Sequence, residues 1–219
     1  LYMKTDKTMG AKGITAFILD TAFEGFSVSR KLKKYGHRGS PTAELVFEDC
    51  RIPAENVLGA ENRGINVLMS GLDVERAFYA GESIGIAEAC LELSVKYAKE
   101  RVQFGKPIGA FQLIQAKLAD MYTQLEAGKM LCYKAAVLAD QAARGGKGTE
   151  IHKLSAASIL FNAEMASRVA DQAVQIHGGY GYMLEYPVQR FLRDAKLIEI
   201  GAGTSEIRRL IIAREILGI

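Results

Sequence analysis

Cysteine is scarce in this chain and never paired. Cys50, Cys90 and Cys132 are odd in number, widely spaced and free of any Cys-x-x-Cys, which speaks against a disulfide framework or a zinc site and fits a reducing compartment. The three histidines, His37, His152 and His177, have no metal-ligand or triad neighbour at helical spacing, so no metal is expected. No apolar run is long enough to span a bilayer, and the first residues lack a signal-peptide pattern. A formal charge of +3 is too small and too scattered for nucleic acid; the cluster Arg30-Lys31-Leu32-Lys33-Lys34 reads as a solvated loop or an edge strand. Neither nucleic acid nor membrane is expected as a partner, and no internal repeat is visible. The opening at Leu1, inside what looks like a strand pattern, reads as a piece of a longer protein.

What is present is an ordinary globular composition, 49% hydrophobic with balanced charge, enough for a sizeable core. Gly13 to Leu19, Phe26 to Ser29 and Ala43 to Asp49 are β-branched or alternating and read as strands. Gly, Ser and Pro fill the turns between them. Beyond Pro53 and Gly59 the period changes to that of helices, which predicts a domain boundary near residue 60, with 1–60 in strands and 61–219 in helices. Ile65, Leu68, Met69 and Leu72, then Ile84, Ala87, Leu91 and Val95, predict one long helix ending near Arg101. After the break at Gly105-Lys106-Pro107-Ile108-Gly109, a second helix is expected from Ala110 to about Arg144. A loop at Gly145-Gly146-Lys147-Gly148 follows, then a third helix capped by Thr149 and stopped by Gly178-Gly179. Pro187 opens a short fourth helix, and Ile207, Leu210, Ile211 and Leu217 supply the stripe of a last one. The expected class is α+β, an antiparallel helical bundle preceded by part of a small β-domain.

Three stretches carry chemistry. Gly201-Ala202-Gly203 is a turn followed by the N-cap hydroxyls of Thr204 and Ser205 and by Glu206 in a new first turn. Its free amides would suit a carbonyl oxygen, a ribityl chain or a phosphate, unless the turn is only a helix connection. Asp73-Val74-Glu75-Arg76 follows Ser70 and Gly71, poor helix formers that suggest a close approach. The bland alternative is an exposed acid–base pair. Arg101 and Gln103 sit at a helix end beside Phe104, where a guanidinium reaches a phosphate or merely meets the helix dipole. Gly179-Tyr180-Gly181 fails as a dinucleotide fingerprint because it ends a helix with no strand before it, and Ser70 and Ser205 lack a nucleophile elbow. Carboxylates remain as the available bases.

Arg101 to Ile108 with Phe111-Gln112, Gln175-Ile176-His177-Gly178-Gly179-Tyr180-Gly181-Tyr182, Arg190 to Lys196, and Gly203-Thr204-Ser205-Glu206-Ile207 together resemble the carboxyl-terminal half of an acyl-CoA dehydrogenase. Phe47 to Gly59 is similar to that family's exit from its middle β-domain, so the resemblance spans the whole chain. It implies FAD as cofactor. Arg101, Phe104 and Gln112 would hold its pyrophosphate and adenine side. Gln175, Ile176, His177, Gly178 and Gly179 would contact the FAD of a neighbouring subunit in a homotetramer, and Thr204, Ser205 and Glu206 would touch the cofactor. It also implies acyl-CoA contacts at Ala11, Lys12, Asn66, Asp73, Val74, Arg76, Ala202 and Gly203.

Many family members carry the catalytic glutamate immediately before Gly-Thr, where this chain has Ala202. It resembles instead the branch acting on isovaleryl-CoA, whose base lies in a Ser-Gly-Leu-Asp-x-Glu-Arg stretch. Here that stretch makes Glu75 the expected base. The implied reaction is removal of the α-proton of a short branched acyl-CoA by Glu75, in an apolar pocket that raises its pKa, with hydride transfer from Cβ to flavin. The Ala202 amide would donate to the enolate oxygen. An electron-transfer flavoprotein would be the acceptor, in the bacterial cytoplasm or the mitochondrial matrix. A related acyl-CoA oxidase and a non-catalytic helical assembly module are the alternatives.

Overall fold

The computed structural model describes residues 1–144 and 150–219; the side chains of Asp73 and Ala143 also lie outside the description. The expected Gly145–Gly148 loop and Thr149 cap therefore fall outside the described residues. The chain divides into two compact units, Leu1–Lys34 with Arg38–Leu72, and Tyr35–His37 with Asp73–Ile219.

The first unit is built from short antiparallel strands. β1 (Tyr2–Lys4), β2 (Ile14–Phe17) and β5 (Val57–Leu58) form one sheet in the order β1-β2-β5, with Met3 opposite Thr15 and Ala16 opposite Leu58. β3 (Phe26–Leu32) and β4 (Thr42–Phe47) form a separate ribbon whose register shifts between Val28 and Lys31. The basic cluster begins in this ribbon: Arg30 and Lys31 are exposed on β3, and Arg30 lies 3.7 Å from Glu44 across it. Thr15 is fully buried because its hydroxyl is used twice, by the Asn62 amide at 2.8 Å and by the Thr5 hydroxyl at 2.7 Å. Gly64, the first residue of α1 (Gly64–Glu100), packs so closely that a Cβ there would lie 2.7 Å from the Ala16 nitrogen. That contact helps place the start of α1, through Leu72, in this unit, although the change from strand to helix pattern lies nearer residue 60.

The second unit is a helical bundle of the rest of α1 with α2 (Gln112–Ala143), α3 (Ile151–His177), α4 (Val188–Ile198) and α5 (Ser205–Leu217). α3 is its axis, packing against α2, α4 and α5. Ala156, Ala163, Ala166, Ala170 and Ala173 are all fully buried, and these small residues let neighbours approach on more than one side. Cys90 and Met121 from α1 and α2 join Ile159, Met165 and Val169 of α3 and Val188 and Ile198 of α4 in one apolar cluster. Burial pushes the Cys90 thiol up to about 12, so it packs as a small hydrophobe.

The last helix departs from the expected stripe. Ile207, Leu210 and Leu217 are exposed, while the buried residues of α5 are Ser205 and Arg208. The face turned toward the bundle carries Arg208, whose guanidinium bonds carbonyls of the preceding turn.

Candidate functional site

The turn between α4 and α5 is held from inside the bundle. Arg208 is fully buried, and its Nη2 donates to the Ile198 carbonyl at 2.7 Å and the Gly201 carbonyl at 2.6 Å. Arg76, 3% exposed, donates from Nε to the Ala202 carbonyl at 3.3 Å. Burial, aided by the nearby positive charge of Arg76, pushes the Arg208 guanidinium down to about 10, which leaves it charged at neutral pH. Ala202 and Gly203 both have positive φ, +53° and +97°. Glycine takes that region freely, and Ala202 is held there against its preference by its clamped carbonyl. The amides of Ala202 and Gly203 have no partner among the described residues. Thr204 caps α5, its hydroxyl accepting from the Ile207 amide at 3.4 Å, and the Ser205 amide donates to the Glu199 carbonyl at 2.9 Å.

Glu75 precedes Arg76 on α1, and its carboxylate is exposed in the chain by itself, as is Val74. The helical step that buries Arg76 turns Glu75 outward. Glu75 is close enough to Tyr79, one turn on, to help raise that phenol's pKa, after burial and Glu82. The structure thus brings Arg76, Ala202, Gly203, Thr204 and Ser205 into one neighbourhood. The Asp73 side chain lies outside the described residues. Ala11, Lys12 and Asn66 belong to the other unit, where with Met9, Asn62 and Arg63 they line a hollow of about 610 Å³.

A second cluster sits where α1 and α3 end. A cavity of about 580 Å³ is lined by Arg101, Ile176, His177, Gly178, Gly179 and Tyr97, among others. His177 stacks on Tyr97 with centroids 4.3 Å apart, and Tyr186 stands on edge to both rings. The His177 Nδ1 lies 2.8 Å from the Ala173 carbonyl, so Nδ1 carries the proton. Burial holds the ring below its ordinary pKa, hence neutral at pH 7. Arg101 lies 5.6 Å over the Tyr180 ring, with no carboxylate partner among the described residues.

Beside this cavity is a larger hollow, about 830 Å³, lined by Phe104, Gln112 and Ile176. Phe104 and Gly105 are the two central residues of the hairpin joining β6 (Val102–Gln103) to β7 (Lys106–Pro107), both with positive φ. That is strained for a phenylalanine, and this one is 88% exposed, edge-on to Phe111 at 6.1 Å. Gln175 and Glu206 are exposed outside both cavities.

Sequence reasoning passed over Arg208, Tyr97, Tyr180 and Tyr186. Tyr97 lies one helical turn before Arg101, so spacing alone would have found it; the Tyr180 and Tyr186 contacts come from folding. His37, read as a plain loop residue, is tied to α4 and to α1: its amide donates to the Asp194 carboxylate at 2.7 Å and its Nε2 lies 3.3 Å from Glu82.

The family model described as acyl-CoA dehydrogenase, C-terminal domain, matches residues 62–217. Over 216 residues, 99% of this chain and 51% of the relative, the chain is 55% identical to a mitochondrial isovaleryl-CoA dehydrogenase of Oryza sativa subsp. japonica. It is 53% identical to a mitochondrial 2-methylacyl-CoA dehydrogenase of Solanum tuberosum over the same shares. Among solved structures, butyryl-CoA dehydrogenase from Megasphaera elsdenii superposes with a TM-score of 0.91 at 45% identity, covering 99% of this chain and 55% of that one. The chain spans about half the length of the curated relatives it matches.

Proposed function

The chain belongs to the acyl-CoA dehydrogenase family, and from that premise we propose that it forms the carboxyl-terminal part of an FAD-dependent dehydrogenase of short, branched acyl-CoA thioesters. Residues 1–60 then belong to a β-domain and 61–219 to the helical domain. The observation that carries the reading is the bond from Arg76, the neighbour of Glu75 on α1, to the Ala202 turn. Arg76, the next residue on the helix, bonds the Ala202 carbonyl in a turn, Gly201-Ala202-Gly203, that has no carboxylate of its own.

The residues fit the cofactor. Arg101 without a carboxylate, the exposed Gly178 and Gly179, and the outward Phe104 offer a phosphate contact, open backbone and a flat apolar face. Gln112 lines the adjoining hollow, and His177 in its neutral form contributes Nε2 as an acceptor. Gln175, Thr204, Ser205 and Glu206 complete the expected cofactor contacts. Bound there, FAD supplies the acceptor for the hydride that leaves Cβ.

Glu75 takes the α-proton as the C=C bond forms, giving the 2-enoyl-CoA. An acyl chain seated over Glu75 would cover the carboxylate, which is exposed in the chain by itself. The free Ala202 amide donates to the thioester oxygen as charge builds on it. Arg76, Val74 and Gly203 are proposed acyl-CoA contacts of the helical unit, with Asp73 expected among them, and Ala11, Lys12 and Asn66 are the proposed contacts of the other unit. The small Ala202 leaves room for a branch. Relatives named for isovaleryl-CoA and for 2-methylacyl-CoA are nearly equally similar, which supports a branched acyl group without choosing the branch point.

An electron-transfer flavoprotein is the proposed electron acceptor and a homotetramer the proposed assembly. Tyr122, Met130, Tyr133 and Val137 on α2 are exposed apolar residues suited to subunit contact. The compartment would be the mitochondrial matrix in a eukaryote and the cytoplasm in a bacterium. Anaerobic mixing of the flavin-loaded protein with a panel of acyl-CoAs tests the reading: isovaleryl-CoA or 2-methylbutyryl-CoA should bleach the flavin fastest. A protein that carries no flavin, or whose flavin no acyl-CoA bleaches, would overturn it.

A further inference from the structure

Arg208 is expensive where it stands. It is fully buried, its Nε and Nη1 have no hydrogen-bond partner among the described residues, and a second guanidinium, Arg76, lies close by. It also sits in the first turn of α5, the positive end of that helix. A buried cation with unsatisfied donors destabilises a fold, and the end of α4 could be capped by water or by a shorter side chain at lower cost. What its position does achieve is specific. Nη2 bonds the Ile198 and Gly201 carbonyls together, at 2.7 and 2.6 Å.

The peptide bond is planar and trans, so the Ala202 N–H points opposite to the Gly201 carbonyl, away from Arg208. By the same geometry the Gly203 N–H points away from Arg76, which bonds the Ala202 carbonyl. Two adjacent amides without partners among the described residues thus face away from two buried cations, at a turn where Ala202 and Gly203 both have positive φ. A cation on the carbonyl side of a peptide withdraws electrons from it and strengthens its N–H as a donor. The bond to Gly201 is the shorter one, so the Ala202 amide gains most.

We infer that Arg208 is a positioning residue for the reaction: by clamping the Gly201 carbonyl it aims and polarises the Ala202 amide at the thioester oxygen. The inference rests on the acyl-CoA dehydrogenase reading, in which that oxygen gains charge as the α-proton leaves. Arg208 touches neither substrate nor cofactor and acts through the peptide between them.

The test uses the flavin-loaded protein that carries this chain, with Arg208→Lys and Arg208→Gln. The probe is acetyl-CoA labelled with carbon-13 at the thioester carbonyl, which has no β-carbon and so cannot be dehydrogenated. In the parent, difference infrared spectra should show the bound carbonyl at lower frequency than free, as expected for a polarised C=O. Both variants should keep their flavin yet lose most of that shift, and flavin reduction by isovaleryl-CoA should slow by about ten-fold or more. A variant that reduces slowly but keeps the parent's carbonyl shift would make Arg208 a packing residue and overturn the inference. A parent that shows no shift, or does not bind the thioester, would instead overturn the functional reading. Hydrogen exchange in the parent tests the premise of the inference, that these amides meet the thioester, even if neither variant folds. The Ala202 and Gly203 amides should exchange fast in the unliganded protein and become protected with acetyl-CoA, and unchanged exchange on binding would sink the inference.

Discussion

At the end of α3 the chain turns through Gly178 and Gly179 beside stacked aromatic rings, whereas at the end of α4 it turns through Gly201, Ala202 and Gly203 over two buried guanidiniums. Both are helix ends opened by glycine with backbone at the surface. Their supports differ in charge. The α3 end rests on a neutral His177 locked by Tyr97, with Arg101 outside it on Tyr180. The α4 end keeps its cations inside and turns its amides outward. A neutral, flat wall suits a group held constantly through catalysis, while amides backed by positive charge suit an oxygen whose negative charge appears only in the transition state. One backbone device thus presents two different surfaces according to what is buried beneath it.

If that division of labour holds, the largest effect belongs to the α4 side. Glu75→Gln should keep flavin and acyl-CoA binding but slow anaerobic flavin reduction by on the order of 10² to 10⁴. Bleaching at the parent's rate would remove Glu75 from the chemistry. Adding Ala202→Glu in that background should restore some turnover for straight-chain substrates more than for isovaleryl-CoA, since the new side chain occupies the space left for a branch.

Next comes the α3 side, where loss should appear in binding. Arg101→Ala should raise the FAD dissociation constant by about ten-fold or more, the scale of one charge-assisted hydrogen bond, and leave the reduction rate of the flavin that stays bound within about two-fold. Flavin retained through gel filtration as well as in the parent would show that Arg101 serves only the helix end. Tyr97→Leu should be milder still, costing about 0.5–1.5 kcal/mol of stability from the lost stack, read by thermal or urea unfolding of the holoprotein.

The smallest effect is a matter of pH. Burial lowers the His177 pKa in the folded state, so below about 6.5 the unfolded chain takes up the proton first and stability falls as the pH drops toward the folded value. His177→Phe should flatten that part of the melting-temperature profile between about pH 7 and 5. An unchanged profile would mean that His177 titrates freely and that the neutral wall is not neutral.

Much of this was legible along the chain because it depends on local rules. Period and glycine placement located the helices, down to the stop at Gly178 and the Thr204 cap, since helix ends obey capping chemistry within a few residues. The spaced motifs likewise identified the family, because each is a contiguous run whose residues keep their order. Burial was a different matter. Nothing near Arg208 in sequence distinguishes it from Arg209, which instead reaches out to Glu164 at 2.5 Å, and yet one is fully buried and the other is a surface ion pair. One step along a helix turns a side chain by about a quarter of a circle, and only the packing of α5 against α3 decides which arginine faces in. In the same way the sequence supplied a glycine turn with free amides, but their direction was settled by carbonyls bonded to guanidiniums from α1 and α5, segments 132 positions apart at Arg76 and Arg208. Charge and residue type are properties of the chain; which way a peptide dipole points is a property of what surrounds it.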